Sequence, residues 1–374
     1  MVVSSDVWLE EFRENARKEF QIQKFPTAKD EEWRYIDYKF LKQLEQINLE
    51  GKSEINFKLE TNSKAVIATN INKNFEIAKN YLGKIISLNK DKLISTHYAN
   101  IGDGLLLFLP KNSSATLKLN ISATNSAIHN LIVLEEGAKL NYFENYEQGN
   151  GFVVDATEIF AAENSQINFQ SFQDFPQDVY HLSYKSAALR RYAVCDWNLG
   201  CFGGQFSRWK IETKLEGEGA QSENIAVFFG SGKQHIDITT IAQHIVPHTT
   251  NNILAKGVMK DSSSSVFRGL IRIEKPAQKT DSYLADHTLI LNKNATANSI
   301  PSLQIEANDV RATHGATIGQ LDKEQMFYLT SRGLSEKEAE KLIVSGFFEP
   351  VLQKILNDEV RNRYQQVIGQ RLSE

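Results

Sequence analysis

The sequence predicts a mainly β protein whose β core lies between helical regions at the two ends of the chain. Three observations lead to this prediction. Amphipathic repeats occur at both ends, short alternating segments fill the middle, and small-residue turns separate those segments. We place an N-terminal helical or mixed region at residues 1–95, the β core at 96–320, and a C-terminal helical region at 321–374.

The N-terminal region contains two amphipathic stretches. In the first, apolar residues recur every three or four positions, as expected for one face of a helix: Trp8, Phe12, Ala16 and Phe20. A second helix is predicted from Glu31 to Leu44. Residues 50–95 are mixed, with a strand-like segment at 65–68 and a helical pattern at 75–82.

The central region contains short segments in which apolar and polar residues alternate, such as Thr116–Ile121, His235–Thr239 and Val266–Ile273. Such alternation is typical of half-buried strands. Turns recur at an irregular spacing of about two dozen residues, which favours a solenoid because a single coil cannot bury its own face. On this pattern alone a β-sandwich or a barrel remains an alternative to a β-helix.

The C-terminal region is predicted to contain three helices. Asp322 is placed to cap the first, and Gly333 is placed to end it. Ser335 and Glu338 form a capping box that begins the second helix. Pro350 is expected at the first position of the third.

The composition argues against several classes of function. The formal net charge is −4, so no global field favours nucleic acid or an anionic membrane. No apolar run approaches the ~20 residues of a membrane helix, and the acidic N-terminus does not resemble a secretion signal, so we expect a cytoplasmic protein. The two cysteines, Cys195 and Cys201, are expected to be reduced and buried, and they cannot form a four-thiolate cluster site.

Several polar groups are candidate sites. One group has the composition of a metal site: His235, Asp237, His244 and His248. Because Pro247 disfavours the helical two-histidine geometry, hydrogen-bonded surface histidines explain this group more simply. A second group, Asp281, Asp286 and His287, suggests acid–base chemistry, but it is better explained as turn and coil residues.

Two features near the C-terminus remain open on the residues alone. His314, between Thr313 and Gly315, is either a turn residue or a nitrogen ligand for iron or zinc. The helical tail carries aromatic residues that either pack on the β core or present a docking face: Phe327, Tyr328, Phe347 and Phe348.

The residues from 256 to 350 resemble the shared core of the SufB/SufD family of iron–sulfur cluster assembly proteins. The resemblance rests on ordered blocks that include Phe267–Gly269, Ala277–Asp281, Pro301–Ile305 and His314–Asp322. Within the family, the segment Glu31–Tyr35 and the absence of a cysteine-rich N-terminal portion resemble SufD-type members.

The resemblance implies a right-handed parallel β-helix between helical ends, and a non-catalytic scaffold. It implies pairing with SufB through the β-helical cores, with a transient iron–sulfur cluster at the shared interface and none held stably by this chain alone. His314 matches the position implicated in cluster assembly there, as a candidate metal ligand. Many SufD-type sequences have cysteine two residues earlier, where this chain has Ala312.

The resemblance also implies that the ATPase SufC docks on the C-terminal helices, for which the candidates are Phe327, Tyr328, Arg332, Phe347 and Phe348. A homodimer of the isolated chain is compatible with pairing between similar folds. Two alternatives remain: a β-helix enzyme, such as a lyase or an acyltransferase, and a SufB-like paralogue that assembles clusters alone.

Overall fold

A computed structural model describes residues 5–355 and 357–373 of the chain. The helices are α1 (Ser5–Ile22), α2 (Tyr38–Leu44), α3 (Phe75–Tyr81), α4 (Lys92–Ala99), α5 (Lys323–Ser331), α6 (Glu336–Leu352) and α7 (Asp358–Ser373). The first strands are β1 (Glu50–Thr61), β2 (Ile67–Asn70), β3 (Ile101–Asp103), β4 (Leu105–Leu109), β5 (Ser114–Leu134) and β6 (Lys139–Ala161). The remaining strands are β7 (Gln166–Gln173), β8 (Tyr180–Leu189), β9 (Val194–Cys201), β10 (Phe206–Leu215), β11 (Gln221–Gly230), β12 (His235–His244), β13 (Thr250–Met259), β14 (Ser264–Ile273), β15 (Asp281–Ile290), β16 (Thr296–Ile305) and β17 (Arg311–Gln320).

The core is a parallel β-helix built from two ladders. The first half of β6 pairs with β7, and the ladder continues through β9, β11, β13, β15 and β17. The second half of β6 pairs with β8, and that ladder continues through β10, β12, β14 and β16. Every one of these pairs is parallel, which confirms the predicted mainly β fold and decides for the β-helix over the sandwich and the barrel.

Alternate residues on each strand face the interior of the β-helix, which we call the lumen. Ile253 and Leu284, which are partners on β13 and β15, both belong to the apolar cluster of the lumen. Equivalent positions on successive coils therefore form columns of inward-facing side chains. These columns determine which residues of the last coil face inward.

The N-terminal region covers one outer face of the β-helix. Its helix α1 packs on α4, and β1 pairs antiparallel with β5. The predicted helix at 75–82 is confirmed as α3. The predicted helix from Glu31 to Leu44 is only partly correct: a 3₁₀ turn at Glu31–Trp33 is separated from α2 by Tyr35, whose φ of 74° is left-handed. A helix cannot continue through that conformation.

The C-terminal helices α6 and α7 pack on the outer face of the β7–β13 ladder. Tyr364 lies against Gly200, where a Cβ atom would approach the Tyr364 ring to 2.5 Å. The capping box of Ser335 and Glu338 is confirmed at the start of α6. The prediction that Pro350 begins a third helix is wrong, since it lies in the last turn of α6.

Candidate functional site

The candidate site is the last coil of the β-helix, formed by β16 and β17. Most residues of these two strands are partly or fully exposed, whereas most residues of the preceding coils are buried. In the described part of the chain, β17 pairs only with β15 and β16 only with β14. The β-helix thus ends in an open lumen and two free strand edges.

The two free edges differ in how they are protected. The Arg311 N–H donates to the Thr280 carbonyl of the preceding coil. Because the direction of the N–H groups alternates along the strand, those of His314, Ala316 and Ile318 point away from β15, toward the free edge. On β16, the backbone N–H of residue 301 would by the same alternation point away from β14, toward the free edge. Because residue 301 is proline, that edge lacks a hydrogen-bond donor at this position. Strand β17 has no proline, so its edge is open to pairing with another chain.

His314 faces the open end of the lumen. It pairs with Leu284, which in turn pairs with Ile253, so the three residues belong to one inward-facing column. Ala312 belongs to the neighbouring inward column, above Ser282. The His314 side chain is exposed because no further coil covers it.

Asp286 lies one coil deeper in the same part of the lumen. Its partner on β17 is Ala316, and its partner on β13 is Ala255. The carboxyl group is only 1% exposed, and burial raises its pKa to about 6, although the hydroxyl groups of Ser299 and Thr288 oppose this shift. The sequence analysis assigned this residue to turns and coils and missed its inward position.

The histidine group suggested by composition does not form a metal site. His235 and Ser264 share a hydrogen bond of 2.7 Å, and His244 forms a separate one of 2.7 Å with Thr249. His248 lies in a turn with a φ of 58°. Across residues 5–355 and 357–373, no three His, Cys, Asp or Glu side chains are grouped to hold a metal ion.

The segment Glu31–Tyr35 is attached to the β-helix by a short row of buried charges. Asp237 accepts hydrogen bonds from Arg208 at 2.7 Å and from Arg268 at 2.5 Å, so three strands contribute to one ion cluster. The Arg208 guanidinium also lies 3.9 Å from the centroid of the Trp33 ring. This segment therefore has a structural role in attaching the N-terminal region to the core.

A second cluster of buried charges lies inside the lumen and was not predicted. Lys185 Nζ is 2.7 Å from Glu144 Oε1 and 2.8 Å from Asp155 Oδ2. His181 Nε2 is 2.6 Å from Asp155 Oδ1, and Ser171 donates to Glu144 at 2.7 Å. Each charged side chain is at most 1% exposed.

The two carboxyl groups of this cluster differ in pKa. Burial raises the pKa of Glu144, and the attraction of Lys185 does not fully offset it. At Asp155 burial acts in the same direction, but the charge of Lys185 and the hydrogen bond from His181 outweigh it and lower the pKa. We therefore assign the ionised carboxylate to Asp155, because it has both partners.

The cysteines have the environment that the sequence predicts. Cys195 and Cys201 are both free and buried in the lumen. Burial raises the pKa of the Cys201 thiol to about 12 and that of Cys195 well above its usual value. Neither thiol is placed to act as an accessible thiolate ligand.

The aromatic residues of the tail fall into two groups. Phe348 is fully buried and Phe347 packs beside it, in the contact between α6 and the β-helix. Phe327 and Tyr328 are 75% and 57% exposed on α5, where Arg332 lies 5.1 Å from the Tyr328 ring centroid. Only the second group offers a surface to another protein.

Residues 118–347, which are more than half of the chain, match the family described as "SUF system FeS cluster assembly, SufBD core domain". The chain belongs to this family. The matched region of the SufBD family runs from β5 into α6, so it includes the last coil and His314. Members of the family take part in iron–sulfur cluster assembly.

Curated relatives agree with this assignment to the SufBD family. The "Iron-sulfur cluster assembly protein SufD" of Bacillus subtilis strain 168 is 28% identical over 329 residues, 84% of this chain and 75% of that protein. "Iron-sulfur cluster assembly SufBD family" proteins of Staphylococcus saprophyticus and Staphylococcus epidermidis are 26% and 25% identical over 331 residues, 84% of this chain and 71% of each relative. In the described part of the chain, none of the helices combines the length and apolar character needed to span a bilayer.

Proposed function

We propose that this chain is a SufD-type, non-catalytic scaffold subunit that pairs with a SufB-type subunit during iron–sulfur cluster assembly. The observation that carries the proposal is the last coil, where an open lumen and the free edge of β17 lie beside His314. A long free edge is a template for strand pairing with a second chain. A partner with a similar β-helix supplies a matching edge.

The proposed site is shared between the two subunits. A transient cluster forms at the open end, where His314 contributes one nitrogen ligand from this side. Because Ala312 replaces the nearest thiol and both cysteines are buried, the thiolate ligands come from the SufB-type partner. This chain holds no cluster stably by itself.

The test of this role is cluster assembly by a complex that contains the His314→Ala variant. We expect the complex to form normally and its rate of cluster formation to fall at least tenfold. Losing even an outer-shell partner of a metal ligand costs roughly 10–100-fold. Thr313→Ala is the matched control, because residue 313 points to the opposite face of β17. A wild-type rate for His314→Ala, measured by anaerobic absorbance, would remove His314 from the site.

The proposal also includes a SufC-type ATPase, which docks on the exposed face of α5 formed by Phe327, Tyr328 and Arg332. Helix α5 has no buried residues, and its neighbour α6 is packed on the β-helix. When the ATPase binds nucleotide and closes, it therefore moves α5. This movement shifts the interface between the two scaffold subunits from one arrangement to another. Phe348 is fully buried and Phe347 packs beside it, so we leave both out of the exposed face proposed for docking.

We expect the double variant Phe327→Ala and Tyr328→Ala to weaken ATPase binding. Interface aromatics of this kind contribute about 2 kcal/mol or more, which corresponds to roughly thirtyfold in the dissociation constant. Phe57→Ala is the control, because Phe57 is also exposed but lies on β1. Equal affinities for the double variant and the control, measured by calorimetry, would place the ATPase elsewhere.

A further inference from the structure

One coil inside the open end, the lumen contains a buried carboxyl group that has only weak hydrogen-bond partners. Asp286 Oδ1 accepts a long hydrogen bond of 3.4 Å from Thr288. The Ser299 hydroxyl is close enough to lower the pKa of the carboxyl group, but it makes no hydrogen bond of normal geometry with Asp286 Oδ2. The Ser299 hydroxyl oxygen has no hydrogen bond of normal geometry to any other described residue either. A buried polar atom of this kind is costly to the fold, and it is usually retained for a ligand or a chemical role.

Asp286 is placed to act together with His314. Leu284 of β15 is the partner of His314. Asp286 comes two residues after Leu284, so its side chain also faces the lumen. Neighbouring strands are about 4.8 Å apart and residues rise about 3.3 Å along a strand, so the two Cα atoms are roughly 8 Å apart. Side chains at that separation on one concave surface can contact the same ion.

The two donors are chemically suited to a divalent first-row metal ion. Imidazole nitrogen and carboxylate oxygen bind Fe(II), whereas a thiolate-rich site favours a preformed cluster. This side of the interface offers no thiolate, since residue 312 is alanine and both cysteines are buried. Because His314 is exposed at the open end, water or a second subunit can supply the remaining ligands from that side.

We infer that Asp286 and His314 form a half-site for a divalent metal ion of the Fe(II) type, which binds before sulfide and partner thiolates are added. This inference deepens the proposed function and rests on the open end being the assembly site. It assigns a ligand role to Asp286 that the sequence pattern did not suggest. It also gives a reason for keeping a buried carboxyl group that has no ion-pair partner among residues 5–355 and 357–373.

The test uses the isolated full-length chain and Co(II) as an oxygen-stable probe, followed by visible absorption. We expect one ion per chain, with a dissociation constant at least tenfold higher in Asp286→Asn and in His314→Ala. Asp281→Asn is the matched control, because Asp281 lies on the same strand, is exposed, and pairs with Arg311. Asp286→Asn is expected to fold normally, since it removes only a buried charge, and its thermal unfolding checks this.

The outcomes separate this inference from the proposed function. If Asp286→Asn binds Co(II) as tightly as the wild type, or if the wild-type chain binds none, the half-site is wrong. The loss of cluster assembly in His314→Ala would still support the proposed function in that case. If the metal depends on Asp286 but the chain forms no complex with a SufB-type subunit, the half-site stands and the proposed function fails.

Discussion

Replacing Lys185 by methionine is expected to lower the free energy of unfolding by about 3–5 kcal/mol, the range for removing one partner of a buried ion pair. The Lys185 ammonium group is the cation shared by Glu144 and Asp155, at 2.7 Å and 2.8 Å. Without it, two carboxyl groups remain in the lumen with no opposite charge. Chemical denaturation followed by circular dichroism measures the change.

Two further variants separate charge from packing. Lys111→Met removes an exposed pair with Glu136, where side chains are more than half exposed, and should cost no more than about 1 kcal/mol. Replacing Lys185, Glu144 and Asp155 together by apolar residues of similar volume should restore most of the stability. If Lys185→Met unfolds at the same denaturant concentration as the wild type, the lumen cluster does not contribute as described.

Acid should act on the same cluster. The pKa of Asp155 is lowered in the folded protein, because the charge of Lys185 and the hydrogen bond from His181 outweigh the effect of burial. Such a group stabilises the fold at pH values above its unfolded pKa, and that contribution is lost as the pH falls toward the folded pKa. The contribution is therefore fully present near neutral pH.

The regular parts of the fold could be predicted from local patterns. Alternation in segments such as Thr116–Ile121 depends only on which face of a strand is buried, and the capping box at Ser335 depends on four consecutive residues. Pro350 shows the limit of such rules. The local sequence is the same whether this proline lies in the last turn of one helix or begins the next helix. Only the packing of α6 on the core distinguishes the two.

The polar interior could not be predicted because it depends on which coils are neighbours. Lys185, Glu144 and Asp155 are far apart in sequence, and each of them alone resembles a solvent-facing residue of an alternating strand. To predict their contact, one must know the register between β6 and β8 and which alternate residues of each strand face the lumen. Asp286 was missed for the same reason, since its inward position follows from the column that contains Ala255.

His314 illustrates how resemblance and structure complement each other. The residues around it are one of several blocks that resemble the family, but they do not show whether the side chain is buried in the core or exposed at its end. The register with Leu284 places it in an inward-facing column that no later coil covers. The candidate site is therefore a property of where the β-helix stops.

The central claim is that the free edge of β17 pairs with a strand of a SufB-type subunit. The most direct test is the affinity of the heterodimer when Ala316 is changed to proline. The Ala316 N–H points away from β15, toward the free edge of β17. Proline at this position therefore removes a donor from the edge and leaves the hydrogen bonds to β15 intact, as Pro301 does on β16. The lost hydrogen bond leaves a partner carbonyl unsatisfied, at a cost of about 1–3 kcal/mol.

We predict that Ala316→Pro raises the dissociation constant of the heterodimer on the order of tenfold or more, since 1.4 kcal/mol corresponds to a factor of ten. Ala316→Ser, which keeps the N–H group, should bind like the wild type. Unfolding of both variants checks that the chain itself is intact. If Ala316→Pro and Ala316→Ser bind the SufB-type subunit with equal affinity, β17 is not the paired edge and the account of the site is wrong.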